Sequence, residues 1–358
     1  MKRIFTEKFF KKIGLLTVAS ILFLIFIGGL VRITGSGMGC PDWPKCFGYY
    51  IPPTNISELT WKPQQEFKKG QMIIKEKKLW VAQGNFTTSQ QYNPSNWAEY
   101  TKHSYALYNP VHTYIEWVNR MVSVFVGLFM ILTVLSSFQY WKNQKSIVFL
   151  SIASFFITLF QAWLGAKVVE SNLDGLKISI HMLFALAVVG LVMIAVFKNH
   201  AATGLYRFKH LGWIKVLVYG VIVLTLVQIF TGTQVREAVD TWKPKADANG
   251  YSWVSVSMVK DILSSHKSLS AFVMAAMLIL FYLVSNRLDK NNAVTKYVGI
   301  GMLLTAMQIA LGSVNIFFNM PAVSQVMHVT LAGLLIASQF YVAILLFNYK
   351  GEQIEEIN

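Results

Sequence analysis

Long apolar runs alternate with shorter polar segments along most of the chain. A run of about 20 apolar residues is long enough to cross a hydrocarbon core about 30 Å thick. The pattern predicts an all-α polytopic membrane protein with eight transmembrane helices, at residues 12–35, 111–137, 147–168, 177–197, 211–234, 262–286, 295–316 and 322–347. Two long polar connections, residues 36–110 and 235–261, each follow an odd-numbered span, so we expect them on the same side of the membrane.

Composition agrees with a membrane protein. Hydrophobic residues make up 54% of the 358 residues and charged residues 14%, and the mean hydropathy is +0.46. A soluble domain carries about 25% charged residues. The chain belongs to the class of proteins that lie in a lipid bilayer.

The net charge of +15 does not indicate a nucleic-acid partner. The basic residues gather before the first span and in the connections after the second, fourth and sixth spans. Cytoplasmic loops carry such an excess of Lys and Arg, so we expect both termini in the cytoplasm. The first span is too long for a cleavable signal peptide and no Arg/Ser-rich transit segment precedes it, so we expect a bacterial inner membrane.

Two spans end in related sequences. Span three ends in QAWLG at residues 161–165, and span seven ends in QIALG at residues 308–312. In both cases a histidine, His181 or His328, follows the glutamine by 20 residues. Such internal repeats indicate one structural unit used twice.

The repeat predicts two tandem, pseudo-symmetric four-helix bundles. We place the N-terminal half at residues 1–197, including the long connection 36–110, and the C-terminal half at residues 198–358. Cofactor sites in helical bundles are built from side chains on facing helices.

One histidine lies near the start of each even-numbered span: His112, His181, His266 and His328. Ionisable groups inside a membrane are costly and usually functional, and histidine is a common axial ligand of heme iron. Two histidines from facing helices could ligate one iron, so we expect His112 to pair with His181, and His266 with His328. A hydrogen-bonded structural role is the alternative for any one of them, and is less expected for four.

Glu116 lies four residues after His112 and three before Asn119, so all three share a helix face. A glutamate beside a heme ligand is a candidate proton acceptor. The alternative is a structural ion pair with one of the arginines Arg32, Arg120 and Arg236.

Arg32, Lys167 and Arg236 end odd-numbered spans and could pair with anionic heme propionates. Snorkelling of these side chains to the membrane surface is at least as good an interpretation.

Cys40 and Cys46 are the two cysteines of the chain and could pair in an oxidising compartment. A structural disulfide and a redox-active pair are both open interpretations. The spacing does not suit c-type heme attachment, which needs Cys-x-x-Cys-His.

Several of these motifs together resemble the heme A synthase family. They are GGLVRITGSGMGCPDWPKC at residues 28–46, EWVNR at 116–120, the glutamine motifs at 161–165 and 308–312, and the histidines that open spans four, six and eight. The likeness extends over nearly all of the membrane part.

The resemblance implies that His266 and His328 bind heme b, and that the N-terminal half binds heme O with His181 as one ligand. It further implies that the C8 methyl of heme O is oxidised to the formyl of heme A through hydroxylated intermediates. Glu116 matches the catalytic glutamate of the family, and Cys40 and Cys46 match an assisting cysteine pair. A heme O synthase and the assembly machinery of a terminal oxidase are the implied partners, and a homo-oligomer is left open.

The chain departs from the family pattern Glu-x-x-His-Arg at one position, where Asn119 replaces the histidine. We hypothesise that His112, one helical turn before Glu116, supplies the missing ligand. Asn119 would then support that ligand or hydrogen-bond the substrate.

Two other functions fit part of the pattern. A di-heme cytochrome b that exchanges electrons with quinone would need the histidines but neither Glu116 nor the cysteines. A transporter built from repeats would need polar residues along the whole path, whereas here they gather at one end of the helices.

Overall fold

The computed structural model describes residues 5–101, 108–171, 173–199, 203–206, 212–288 and 291–353. Eight long helices dominate these residues: α1 Glu7–Ile33, α2 Pro110–Ser137, α3 Lys145–Glu170, α4 Gly175–Phe197, α5 Gly212–Ala248, α6 Ser257–Arg287, α7 Ala293–Phe317 and α8 Ala322–Phe347. Each is long and apolar enough to cross a membrane. The prediction of an all-α polytopic membrane protein with eight spans is confirmed.

Local sequence explains where several helices begin. Four of them follow a residue whose side-chain oxygen accepts a hydrogen bond from the first turn, namely Thr6, Asn109, Asp174 and Asn292. Such caps satisfy backbone N–H groups that have no partner within the helix.

Neighbouring helices pack in pairs, α1 with α2, α3 with α4, α5 with α6, and α7 with α8. Contacts of α1 with α4 and of α2 with α3 complete a first group of four helices, and α5–α8 and α6–α7 contacts complete a second. Helices α1 and α4 contact α8, and α4 contacts α5, so the groups share an apolar interface. The pseudo-symmetry of the groups and the division after residue 197 stay predictions.

The connection expected at residues 235–261 is mostly helical, so that prediction was wrong. Helix α5 continues to Ala248 and α6 begins at Ser257. Two i,i+4 ion pairs support the polar extension of α5, Arg236 with Asp240 at 2.6 Å and Lys243 with Asp247 at 2.6 Å. Val235, Ala238, Val239, Trp242 and Ala246 lie at helical spacing and form an apolar cluster with Trp253 and Leu263. The prediction ended the helix at the last continuous apolar run and did not follow this spacing into a polar segment that contains Pro244.

The long connection between α1 and α2 contains short strands that the sequence did not predict. They are β1 Glu66–Phe67, β2 Met72–Lys75, β3 Lys78–Ala82, β4 Phe86–Thr87 and β5 Trp97–Glu99. Strands β2, β3 and β5 form an antiparallel sheet, and β1 pairs with β4. We call the end of the bundle that carries these strands the sheet end. Helices α2, α4, α6 and α8 begin there.

A further pair of strands is formed by segments that follow α4 and α8. Strand β6, Thr203–Tyr206, pairs in parallel with β7, Lys350–Gln353. This pairing joins the two groups of helices at the end opposite the sheet end.

Candidate functional site

Glu116 lies in the second turn of α2 and is only 4% exposed. The backbone N–H of Cys40 donates a hydrogen bond of 2.8 Å to its Oε2, and the guanidinium of Arg120 donates to its Oε1. Both carboxylate oxygens therefore have a partner. Among the three arginines considered from the sequence, Arg120 is the ion-pair partner of Glu116.

Residues 39–52 form a segment that is fastened along the first turns of α2; we call it the disulfide segment. Cys40 and Cys46 are joined by a disulfide bond, which confirms their pairing. Nη1 of Arg120 donates hydrogen bonds of 2.7 Å to the carbonyls of Asp42 and Lys45. Arg120 thus connects the Glu116 carboxylate to the middle of the disulfide segment.

Further hydrogen bonds from α2 extend this attachment to both ends of the segment. They join Thr113 Oγ1 to the Gly39 carbonyl at 2.9 Å, Trp117 Nε1 to the Tyr50 carbonyl at 2.8 Å, and Tyr114 Oη to the Pro52 carbonyl at 3.0 Å. The disulfide segment therefore covers Glu116 from the sheet end.

Gly39 allows this close packing. A Cβ at this position would lie 2.5 Å from the carbonyl oxygen of His112 and 2.8 Å from the nitrogen of Thr113. Since those atoms belong to the helix backbone, a larger residue would force the disulfide segment away from α2. The backbone N–H of Cys40 would then leave Glu116.

Three of the predicted histidines share one environment. In each case the side chain of a glutamine on the preceding helix donates to the backbone carbonyl of the histidine. The pairs are Gln161 with His181 at 2.7 Å, Gln228 with His266 at 3.0 Å, and Gln308 with His328 at 2.7 Å. The glutamine fixes the level of the histidine along its helix.

A glycine four residues after each glutamine leaves room for the imidazole ring. A Cβ added to the glycine would lie 3.5 Å from Cε1 of the histidine for Gly165 and His181, and for Gly312 and His328. For Gly232 and His266 the distance would be 3.0 Å, which is shorter than ordinary van der Waals contact. The motif is Gln-x-x-x-Gly in α3, α5 and α7. Sequence reasoning found it in α3 and α7 and missed Gln228 in α5, although the same spacing was there to read.

The rings of these histidines are suited to bind a group between the helices. The Nδ1 atoms of His181 and His328 are buried and have no hydrogen-bond partner among the described residues. The His266 ring contacts Thr231 Oγ1 through Nδ1 at 3.1 Å and the Gln228 side chain through Nε2 at 3.3 Å. Unsatisfied buried polar atoms are rare, so partly buried imidazoles of this kind fit axial ligation of a heme iron.

His112 does not share this environment. In α4, α6 and α8, the residues seven and fourteen positions after the histidine are buried: Val188 and Ala195, Val273 and Leu280, Leu335 and Val342. In α2 the same pattern of burial, at Val126 and Thr133, starts from Asn119 and not from His112. His112 therefore holds a different position in the heptad pattern from the other three histidines.

His112 is the third residue of α2, seven residues before Asn119. At 1.5 Å per residue this places it about 10 Å closer to the sheet end. The backbone N–H of His112 donates a 3.3 Å hydrogen bond to Oδ1 of Asn109, which caps the first turn of α2. The role of His112 as an iron ligand stays a prediction. Aligning the even-numbered spans by the apolar residue seven positions after each histidine would have shown from sequence that Asn119, and not His112, holds the histidine position in α2.

The arginines expected at heme propionates lie together at the sheet end. Arg32 of α1 and Arg236 of α5 both form ion pairs with Asp240, at 3.0 Å and 2.6 Å. Arg236 also donates a hydrogen bond to Gln325 of α8. Lys167 instead pairs with Glu170 on an exposed surface, 2.5 Å away. Two arginines facing one aspartate leave positive charge, which is compatible with an anionic group nearby.

Comparisons with known proteins agree over most of the chain. The family model COX15-CtaA, described as cytochrome oxidase assembly protein, matches residues 11–340. The heme A synthase of Shouchella clausii (strain KSM-K16) is 24% identical over 358 residues, which cover 97% of this chain and 100% of that protein. The heme A synthase of Bacillus licheniformis is 23% identical over 234 residues, covering 64% of this chain and 59% of that protein.

Proposed function

Because the chain belongs to the COX15-CtaA family of cytochrome oxidase assembly proteins, we propose that it is a heme A synthase, an oxidoreductase of heme A biosynthesis. In this proposal it oxidises the C8 methyl of heme O to the formyl of heme A through hydroxylated intermediates. The observation that carries the proposal is the buried Glu116 carboxylate, bonded to Cys40 and Arg120 at the same end of the bundle as the histidines.

The C-terminal group of helices is the proposed site of heme b. His266 and His328 would ligate its iron, and Gln228 and Gln308 fix the level of the two ligands through their backbone carbonyls. Such a heme supplies one-electron redox chemistry when it is bound. The protein contributes the spacing and orientation of the two imidazoles.

The N-terminal group of helices is the proposed site of heme O, with His181 as a ligand of its iron. Oxidation of a methyl group to a formyl group takes its oxygen atom from water in this proposal and passes its electrons to an external acceptor. Because protons are released at the same time, the reaction needs a base close to the reacting carbon. Glu116 is the buried carboxylate on this side of the bundle. A positioned carboxylate can accept a proton in the transition state. Its partners Arg120 and Cys40 N–H would orient it and stabilise its charged form.

The surroundings of Glu116 also shield it from bulk solvent. The disulfide segment covers it from the sheet end, and its side chain is 5% exposed. Arg32 and Arg236, which share Asp240, are the proposed partners of heme propionates. Together these residues would bind the anionic groups of a porphyrin near the sheet end.

The location and partners follow from the same proposal. The chain is a multi-pass membrane protein, and we place it in a bacterial inner membrane with both termini in the cytoplasm. Heme O reaches it from a heme O synthase, and heme A leaves toward the assembly of a terminal oxidase. Association of the chain with itself is compatible with this arrangement.

A di-heme cytochrome b that exchanges electrons with quinone is the alternative, and the histidine contacts alone would fit it. The test is to co-express the chain with a source of heme O, purify it in detergent, and identify the extracted hemes by chromatography and mass. Heme b together with hydroxylated heme O or heme A is the expected result. Heme b alone, with heme O available in the membrane, would overturn the proposal in favour of the cytochrome.

A further inference from the structure

The pair α1 and α2 differs from the other three helix pairs at the position where each of those pairs contains a histidine ring beside a glycine. Arg32 near the end of α1 and Arg236 in α5 each follow a glycine by four residues, Gly28 and Gly232, with a valine directly before the arginine in both cases. By this shared spacing we take the two glycines as equivalent positions.

In the part of the chain that the structure describes, no ring lies beside Gly28. A Cβ at Gly232 would lie 3.0 Å from the ring of His266, whereas a Cβ at Gly28 would meet no atom of the described residues within 4 Å. The glutamine is missing as well, because Leu24 takes the place that Gln228 has four residues before its glycine. The first pair of helices thus keeps the glycine and lacks both the ring and its support.

Asn119 occupies the histidine position in this pair. It precedes the buried residues Val126 and Thr133 by seven and fourteen positions, as His266 precedes Val273 and Leu280. Its Oδ1 is buried and has no hydrogen-bond partner among the described residues. An amide side chain is shorter than an imidazole and is a weak ligand for heme iron compared with histidine.

His112 is poorly placed to replace the missing ring. His112 lies seven residues before Asn119 in α2. The matching position in α6, seven residues before His266, is Val259, which is fully buried. The backbone of His112 packs against Gly39, so the disulfide segment fixes its position. To reach the level of the other histidines it would have to cross about 10 Å along the helix.

We propose that the N-terminal heme iron has His181 as its single protein ligand, and that the coordination position facing Asn119 is open to small exogenous ligands such as carbon monoxide or cyanide. This inference rests on the proposed heme site of the N-terminal helices. It would make the two hemes chemically unequal, because His266 and His328 would both ligate the C-terminal iron.

The inference is tested on the full-length protein loaded with hemin in detergent, with heme counted per chain. Ferric protein should show one high-spin and one low-spin heme by electron paramagnetic resonance, and the reduced protein should bind carbon monoxide at one of its two hemes. Asn119→His should weaken carbon monoxide binding by at least about tenfold and give two low-spin hemes. Asn119→Ala should keep the carbon monoxide site, as should His112→Ala.

Two hemes per chain, both low-spin and neither binding carbon monoxide, would overturn the inference while leaving the heme sites in place. A carbon monoxide site gained only in His112→Ala would identify His112 as the second ligand and overturn it too. A single heme per chain that binds no carbon monoxide would contradict the N-terminal heme site itself, and with it the proposed function.

Discussion

The backbone N–H of Cys40 donates a 2.8 Å hydrogen bond to the carboxylate of Glu116, 76 positions later in the chain. The disulfide with Cys46 closes the turn that presents this N–H, and Arg120 binds both the carboxylate and the carbonyls of the same turn. The disulfide and the proposed base are therefore parts of one hydrogen-bonded unit. This relationship explains how a cysteine pair outside the membrane-spanning helices can influence a carboxylate within α2.

Replacing both cysteines by serine should lower heme O conversion without removing the hemes. Without the disulfide, the turn of residues 40–46 gains conformational freedom, and the Cys40 N–H no longer stays on Glu116. Product formation and heme content are measured on the same preparation, with the exposed Ser95→Ala variant as a control. Full activity in the double variant would show that the disulfide segment does not position Glu116.

Gly232→Ala and Gly28→Ala form a matched pair of substitutions. The new Cβ lies 3.0 Å from the ring of His266 in the first variant and more than 4 Å from any atom of the described residues in the second. We expect Gly232→Ala to weaken heme b binding about tenfold or more by displacing a ligand, within the usual range for groups that support a metal ligand. Gly28→Ala should bind heme b normally. The readout is the heme b spectrum and its loss during dilution; equal behaviour of the two variants would contradict the assigned contact.

The stability of the disulfide segment should depend on the protonation of Asp42. Burial raises the pKa of this carboxyl above its ordinary value of 3.8, although the N–H of Gly48 donates to it at 2.9 Å. A raised pKa means that the folded segment binds the proton more tightly than the unfolded one. The contribution of Asp42 to the stability of the folded segment is therefore present in acid, and it is lost as the pH rises through the pKa that Asp42 has in the folded state.

Asp42→Asn carries no charge and keeps an acceptor for Gly48. It should resist reduction of the disulfide better than the wild-type protein at neutral pH, and the advantage should shrink in acid. The rate of reduction by a phosphine, measured across this pH range, checks the prediction, with the exposed Asp261→Asn as the control. An advantage that is the same at every pH would show that charge on Asp42 is not the cause.

Gln308→Leu should disturb the C-terminal heme more than a polar-to-apolar substitution elsewhere in the same helix. Gln308 donates to the carbonyl of His328 at 2.7 Å, whereas the hydroxyl of the half-buried Ser313 donates to the Ile309 carbonyl within its own helix. Interhelical hydrogen bonds in membranes contribute about 0.6 kcal/mol on average. We therefore expect a modest loss of heme b affinity and a shifted reduction potential in Gln308→Leu. No change relative to Ser313→Ala would indicate that Gly312 alone defines the position of the ring.

The membrane helices could be predicted from sequence because the bilayer imposes their length and composition. The same reasoning failed for the end of α5, which lies beyond the apolar run. There Arg236 with Asp240 and Lys243 with Asp247 pair on the polar face, and Val239 and Ala246 are buried on the other face. The strands β1–β5 were missed because each is only two to five residues long and depends on contacts distant in sequence.

The chemistry of the site was partly readable. Glu116 and the cysteines were found from sequence, but their hydrogen bond joins residues in different segments and depends on the close approach at Gly39. His112 was grouped with the other histidines because it opens an even-numbered span. The position of a residue along its helix, relative to the neighbouring helices, depends on how the helices pack. The start of an apolar run in the sequence does not define this packing.

The most direct test of the proposed reaction is the heme composition of the Glu116→Gln variant after co-expression with a source of heme O. Loss of a positioned base lowers rates by about 10²–10⁴, so we expect heme b and heme O to be retained while hydroxylated heme O and heme A disappear. The exposed Glu76→Gln variant should match the wild-type protein. Heme A at the wild-type level in Glu116→Gln, with both hemes bound, would contradict the role assigned to Glu116.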